Sequence, residues 1–256
     1  MLVLTGANVR LHGCYGAPVE PALVLLVTFA ALTVSSVAGY GGSLILVPAL
    51  AAILGPREGI ALAGLVLACN NVCKCIAYRR TLALRRGRSL LVVTVIGVVA
   101  GSQVLLVLPE RALVGLIVVA AVGSLAAELA GDRLAGSKRR SVLPMTAASS
   151  TLSGATGTSG PLKGMAIRHL GLPRLEHVGL ASAASLLGDA VKTGIFADAG
   201  LLPSMSPFVL LAAAPMMPVA AWLGLRINTR ISEDTFRWVF WGVVGAYTMR
   251  MAGLWF

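Results

Sequence analysis

The chain has 256 residues, of which 57% are apolar and only 12% are charged. Soluble domains carry about 25% charged residues, so this composition excludes a water-soluble enzyme and indicates an integral membrane protein. The net charge of +11 does not indicate a nucleic-acid partner, because the basic residues form short runs between apolar segments with few aromatic residues to stack bases. We therefore expect a lipid bilayer around the chain and no nucleic acid among its partners.

Eight apolar segments follow one another along the chain: 22–54, 59–78, 89–108, 112–130, 142–171, 178–197, 207–225 and 236–256. The first and the fifth are too long for one straight crossing, since 33 residues make a helix of about 50 Å and the hydrocarbon core is about 30 Å thick. Each is interrupted by residues that disfavour helix, Gly39-Tyr40-Gly41-Gly42 in the first and Gly157-Thr158-Ser159-Gly160-Pro161 in the fifth. The sequence therefore predicts two broken helices.

The two interruptions reveal an internal duplication. A shift of the sequence by 118 residues pairs Gly39 with Gly157, Gly42 with Gly160, Leu44 with Leu162, Asn71 with Asp189, Lys74 with Lys192 and Tyr78 with Phe196. We expect a single all-α transmembrane domain over residues 1–256, with one repeat at about 20–130 and the other at about 142–255. Each repeat would hold a broken or re-entrant helix followed by three transmembrane helices.

The distribution of basic residues bears on how the broken segments enter the membrane. With Lys74, Lys163 and Lys192 set aside as intramembrane, eighteen basic residues remain in or near loops. If both broken segments cross the membrane, these residues divide eleven to seven; if both turn back as hairpins, they divide fourteen to four. The more uneven division of basic residues favours hairpins, and a kinked and tilted span is the alternative. Three crossings per repeat would give the two repeats opposite orientations.

The interruptions are candidates for a substrate site. Backbone without helical hydrogen bonds is tolerated at membrane depth only where it faces protein or water, so we expect the glycine patches to line a cavity. Half-helices that begin there would direct N–H groups and the positive ends of their dipoles toward an anion. The candidate binding residues are Gly39, Gly41, Gly42 and Ser43 in the first patch and Gly157, Thr158, Ser159 and Gly160 in the second. The alternative is that the glycines only allow close helix packing.

Lys74 and Lys192 give a sharper signal, because a lysine inside a membrane span costs about 2.5–3.5 kcal/mol and this chain places one at equivalent positions of both repeats. We expect both to stabilise a bound anion, together with Asn71; the alternative is that they extend to the lipid headgroups. Asp189 precedes Lys192 by three residues, so the two can pair on one helix face. Asp189 is our candidate for proton coupling, with simple charge neutralisation as the alternative. Lys163 is a third cation, in a position more typical of the membrane interface.

The first glycine patch and its surroundings resemble the signature of the TauE/SafE sulfite-exporter family of bacterial and archaeal membrane carriers. The similar residues are 37–48 followed by Leu54-Gly55-Pro56, and, more weakly, 153–162 followed by Leu170-Gly171-Leu172-Pro173. The resemblance implies a multi-pass protein of the prokaryotic cell membrane that transports sulfite, organosulfonates, thiosulfate or related small sulfur anions. It implies no enzymatic activity. We expect no cofactor and no metal.

Three other interpretations were weighed. Gly157-Thr158-Ser159-Gly160 fits the G-x-S-G pattern of intramembrane serine proteases, but no histidine lies in the last spans to act as the base. A cation carrier or channel would need intramembrane carboxylates, and the charge within the apolar segments is net positive. A membrane assembly factor without a substrate is the third. Cys69, Cys73 and Cys75 cluster in one span, where cysteine usually serves as a small apolar residue, although a thiol that engages a sulfur substrate is conceivable.

Overall fold

The computed structural model describes residues 21–38, 42–129, 142–158, 160–204 and 206–228. Within these ranges the chain is helical apart from short turns, as the composition predicts. The helices are α1 (Pro21–Ala38), α2 (Gly42–Leu54), α3 (Pro56–Ala77), α4 (Leu84–Val107), α5 (Glu110–Leu129), α6 (Val142–Thr156), α7 (Gly160–Arg168), α8 (Arg174–Asp198), α9 (Ser206–Ala213) and α10 (Met216–Asn228).

Two of the described helices, α3 and α4, are long and apolar enough to cross a membrane individually. The helices α9 and α10 meet these criteria only as a pair, bent by 44° at their junction. The sequence prediction treats 207–225 as one apolar segment, and the structure places a bend within it. It falls where Pro215 lacks the N–H that would continue the helical ladder, and Pro218 follows in the first turn of α10.

Both long apolar segments are divided into two helices at the glycine patches. The first consists of α1 and α2, and the second of α6 and α7. At the second break the chain turns at Gly157, whose φ of 75° lies in the left-handed region that glycine adopts without strain. Its N–H donates to Ser153 O at 2.9 Å, which ends α6 with a hydrogen bond typical of a glycine C-terminus.

The helix ends recur at one spacing. α1 ends at Ala38 and α6 at Thr156, α2 begins at Gly42 and α7 at Gly160, and α3 begins at Pro56 and α8 at Arg174. Each pair of ends differs by 118 residues, the shift that aligns the sequence with itself. The two longest of these equivalent helices, α3 and α8, pack against each other in the middle of the molecule.

Two further helix contacts each join a helix of one half to a helix of the other half. α6 packs along α4, and the equivalent α1 packs along α10. Small residues permit both contacts: a Cβ added at Gly101 would collide with Thr151 O of α6, and one added at Gly224 would collide with Ser36 of α1. Close approach of backbones through small residues is the usual packing mode of helices in lipid. The core around these helices is formed by aliphatic side chains such as Leu44, Leu62 and Leu113.

Candidate functional site

A buried chain of polar groups crosses the contact between α3 and α8. Lys74 Nζ donates to Asn71 Oδ1 at 2.9 Å, and Asn71 Nδ2 donates to Asp189 Oδ2 at 2.7 Å. Asp189 Oδ1 in turn lies 2.7 Å from Lys192 Nζ. The network thus joins Lys74 and Lys192 through the amide and the carboxylate that the 118-residue shift pairs.

Burial distinguishes this arrangement from lysines that extend to the lipid headgroups. Lys74 and Lys192 are both 0% exposed, and they are among the largest fully buried side chains in the described part of the chain. Asn71 and Asp189 are also buried. A cation at such a depth is stable only when it is paired and hydrogen-bonded, which this network provides.

Each lysine also reaches the carboxyl end of the half-helix that precedes the break in its own half. Lys74 Nζ donates to Ser35 Oγ, in the last turn of α1, at 3.1 Å. Lys192 Nζ donates to the carbonyl oxygen of Gly157, just beyond α6, at 3.4 Å. A cation is favourable at this end of a helix, because the last carbonyl groups lack helical partners and carry the negative end of the dipole.

Lys163, the third candidate cation, is a member of the cluster, although its place in the sequence is more typical of the membrane interface. It is 6% exposed, and its Nζ lies 3.3 Å from Ser185 Oγ of α8. It also interacts electrostatically with Asp189 and Lys192. The first turns of α7 fold over α8 and carry Lys163 inward, which a hydropathy profile cannot show. The buried charged residues of the described ranges are therefore three lysines and one carboxylate.

Two of the predicted glycines pack tightly against neighbouring helices. A Cβ added at Gly42 would lie 2.5 Å from Ser35 Cβ and 2.8 Å from Ala31 O. One added at Gly157 would lie 2.9 Å from Val47 Cγ2 and 3.0 Å from a methyl of Ile60. Close packing therefore accounts for both glycines, and at Gly157 the positive φ is a second requirement.

The other residues of the glycine patches have different outcomes. Thr158 is buried, and its hydroxyl lies 3.0 Å from that of Thr156, so it is engaged within the break itself. Ser43 and Gly160 occupy the first turns of α2 and α7. The remaining predicted residues, Gly39, Gly41 and Ser159, lie outside the described residues.

The sequence matches the family described as Sulfite exporter TauE/SafE over residues 24–251. The chain belongs to this family. TauE/SafE proteins are membrane transporters, which agrees with the apolar helices and the resemblance of the glycine patches. Comparisons with curated proteins and with solved structures give no match.

Sequence reasoning missed several groups that the TauE/SafE fold brings to the cluster. Ser35 and Ser185 are ordinary helix residues in the sequence, yet both accept hydrogen bonds from buried lysines. The signal for Ser35 was present, because the 118-residue shift pairs it with Ser153 beside the second break. Asn70 is also buried, and nothing in its local sequence distinguishes it from the neighbouring Asn71.

The three cysteines lie on α3, and Cys75 interacts electrostatically with Lys74. Cys69, Cys73 and Cys75 are free thiols of intermediate exposure. Cys69 and Cys73 pack against the aliphatic core. These surroundings suit the reading of cysteine as a small apolar side chain.

Proposed function

We propose that this TauE/SafE protein is a secondary transporter of small sulfur-containing anions such as sulfite, thiosulfate or an organosulfonate. The observation that carries the proposal is the excess of positive charge in the buried cluster. Three lysines and one carboxylate are buried there, so the cluster has a net charge of +2 when all four are ionised. That excess equals the charge of fully deprotonated sulfite or thiosulfate. Since uncompensated charge at membrane depth is costly, an anion is the natural complement.

The broken helices supply a second attractive element. In each half a lysine occupies the carboxyl side of the break, at Ser35 or at Gly157 O. The amino ends of the following half-helices, α2 and α7, then offer N–H groups that have no acceptor within the helix. An anion between the lysines and these amino ends would interact favourably with both. This arrangement corresponds to the substrate sites of transporters with discontinuous helices near the bilayer midplane.

We further propose that the two halves are inverted repeats in a multi-pass protein of the prokaryotic cell membrane. The recurring helix ends, the packing of α3 against α8 and the exchange of contacts between the halves support a duplication. Opposite orientations follow if both broken segments are hairpins. Accessibility labels at the amino terminus and in the turn around Gly55 would test this, since a hairpin requires both on one side of the membrane.

The geometry around Asp189 favours a counter-ion over a proton carrier. One oxygen lies beside the ammonium of Lys192 and the other accepts from the Asn71 amide, both at 2.7 Å. Both carboxylate oxygens are therefore engaged by nitrogen donors. Asp189 then links Asn71 of α3 to Lys192 of α8. Proton coupling through Asp189 is the alternative, and the pH dependence of flux would reveal it.

The decisive experiment is a flux assay with the purified protein in liposomes. Sulfite, thiosulfate, an organosulfonate and sulfate would be tested individually, with sodium and potassium flux as the comparison. We expect saturable movement of at least one sulfur anion, which Lys74→Ala and Lys192→Ala reduce. Cation flux without anion flux would favour a cation carrier, and no flux from correctly folded protein would favour an assembly factor.

A further inference from the structure

Asn70 is an unusual residue in the interior of this molecule. Its side chain is 0% exposed, and neither Nδ2 nor Oδ1 has a hydrogen-bond partner in the described structure. Buried amides almost always find partners, because leaving such a group unpaired is costly. A residue with two unpaired polar atoms is therefore a candidate for a ligand contact.

The hairpin formed by α2 and α3 determines where Asn70 points. The two helices are joined by the single residue Gly55 and pack against each other, and a Cβ added at Gly59 would collide with Ala51 of α2. Residues 59 and 70 are eleven positions apart, so at 100° per residue they lie within about 20° on the same face of α3. Asn70 therefore points to the side of α3 that α2 covers.

The height of Asn70 along the hairpin places it near the start of α2. From Pro56 to Asn70 the rise is about 21 Å, and from Leu54 back to Gly42 it is about 18 Å. Asn70 thus lies about 3 Å beyond the first residue of α2, next to its amino end. This helix has 13 residues, so its amino end carries a developed dipole.

The charged cluster lies beside the same point. Lys74 follows Asn70 by four residues and shares its helix face. The Ser35 hydroxyl that accepts from Lys74 would lie 3.0 Å from a Cβ added at Gly42, the first residue of α2. The unpaired amide, the lysine and the amino end of α2 therefore converge.

We propose that Asn70 and the first-turn amides of α2 form a subsite for an oxygen atom of the transported anion. The proposal rests on the anion-transport function above and assigns a specific donor within it. Asn70 Nδ2 would donate to a sulfur-bound oxygen, while the amino end of α2 and Lys74 balance the charge. The subsite belongs to the first half alone, because the shift pairs Asn70 with Gly188, which has no side chain.

The test combines thermal stability with transport, measured on the full-length protein for Asn70→Ala and Asn70→Asp. Sulfite is the probe in both. Removing an unpaired amide relieves its desolvation cost, so Asn70→Ala should unfold at the same or a higher temperature than the parent without sulfite. Sulfite should then stabilise the variant less, and its half-saturation concentration should rise by about tenfold or more. Asn70→Asp should reduce sulfite transport further, because its carboxylate repels an anion.

Ser102→Ala is the matched control, since Ser102 Oγ is also buried without a partner but lies at the contact of α4 with α6. It should leave the half-saturation concentration unchanged. An Asn70→Ala protein that unfolds at a lower temperature and retains the parent response to sulfite would overturn the proposal. If the parent itself neither transports nor is stabilised by sulfite, thiosulfate, sulfonate or sulfate, the transport function fails and the subsite with it. Normal parent transport with an unaffected Asn70→Ala variant removes the subsite alone.

Discussion

The two halves of this protein place a lysine at the same position but surround it differently. Lys74 in the first half donates to neutral oxygens of Ser35 and Asn71. Lys192 in the second half pairs with the carboxylate of Asp189. The comparison shows that two positions 118 residues apart both hold a buried lysine, whereas the groups that stabilise the two lysines differ. The predictions below test how far the halves are equivalent.

The largest expected difference between the halves is in stability. Lys192→Met would leave Asp189 as a buried carboxylate without its cation, which should lower the free energy of unfolding by about 3–5 kcal/mol. Lys74→Met removes the hydrogen bonds to the neutral oxygens of Ser35 and Asn71 and should cost about 1–3 kcal/mol. Denaturant titration in mixed micelles would measure both. The double variant Lys192→Met with Asp189→Asn should recover part of the loss, and equal losses for the two single variants would contradict the asymmetry.

The second prediction concerns Asp189→Asn, which gives the second half the amide that the first half has at Asn71. Asp189→Asn should lower the free energy of unfolding by about 1.5–3 kcal/mol, because its amide oxygen can still accept from Lys192 but without opposite charge. We expect the residual anion flux to keep the parent's dependence on pH. Measurement of initial flux across a pH series would decide, and a flattened profile would instead identify Asp189 as a proton-coupling residue.

A third prediction concerns the helix contacts that exchange between the halves. Gly101→Ala at the contact of α4 with α6, and Gly224→Ala at the contact of α1 with α10, should each lower stability by about 1–3 kcal/mol, because the new methyl group collides with the opposite helix. Gly194→Ala is the control, since nothing lies within 4 Å of its added Cβ. It should be neutral or stabilise α8 by up to about 1 kcal/mol. Thermal unfolding of the three variants would show whether the two contacts are equally intolerant.

The smallest expected effect concerns the thiols. The shift pairs Cys69, Cys73 and Cys75 with Leu187, Val191 and Thr193, so the second half manages without sulfur at these positions. A triple variant carrying those three second-half residues should transport at the parent rate and unfold within about 0.5 kcal/mol of the parent. Loss of sulfite flux in a folded triple variant would indicate that a thiol contacts the substrate.

The sequence was sufficient for the features that depend on local chemistry. Glycine clusters disfavour helix, so the carboxyl ends of α1 and α6 and the amino ends of α2 and α7 were predictable from the two patches. The pairing of Asp189 with Lys192 followed from their spacing on one helix.

Contacts between helices were harder to predict from the sequence. The inward position of Lys163 depends on how α7 packs over α8. Whether the side chain of Asn70 has a hydrogen-bond partner depends on which groups of α2 lie beside it. The bend between α9 and α10 was not predicted, because an apolar window averages over Pro215 and Pro218. Hydropathy identifies which segments are buried in lipid, whereas the side chains that meet inside are set by tertiary packing.

The hydrogen bond from Asn71 to Asp189 joins two positions that are 118 residues apart, which is the repeat spacing itself. If the halves are inverted repeats, as proposed above, equivalent positions can touch only beside the axis that relates the two halves. If the halves also alternate by exchanging their conformations, groups at that axis move least. Asn71 and Asp189 would then form a fulcrum about which the pathway opens first to one face of the membrane and then to the other.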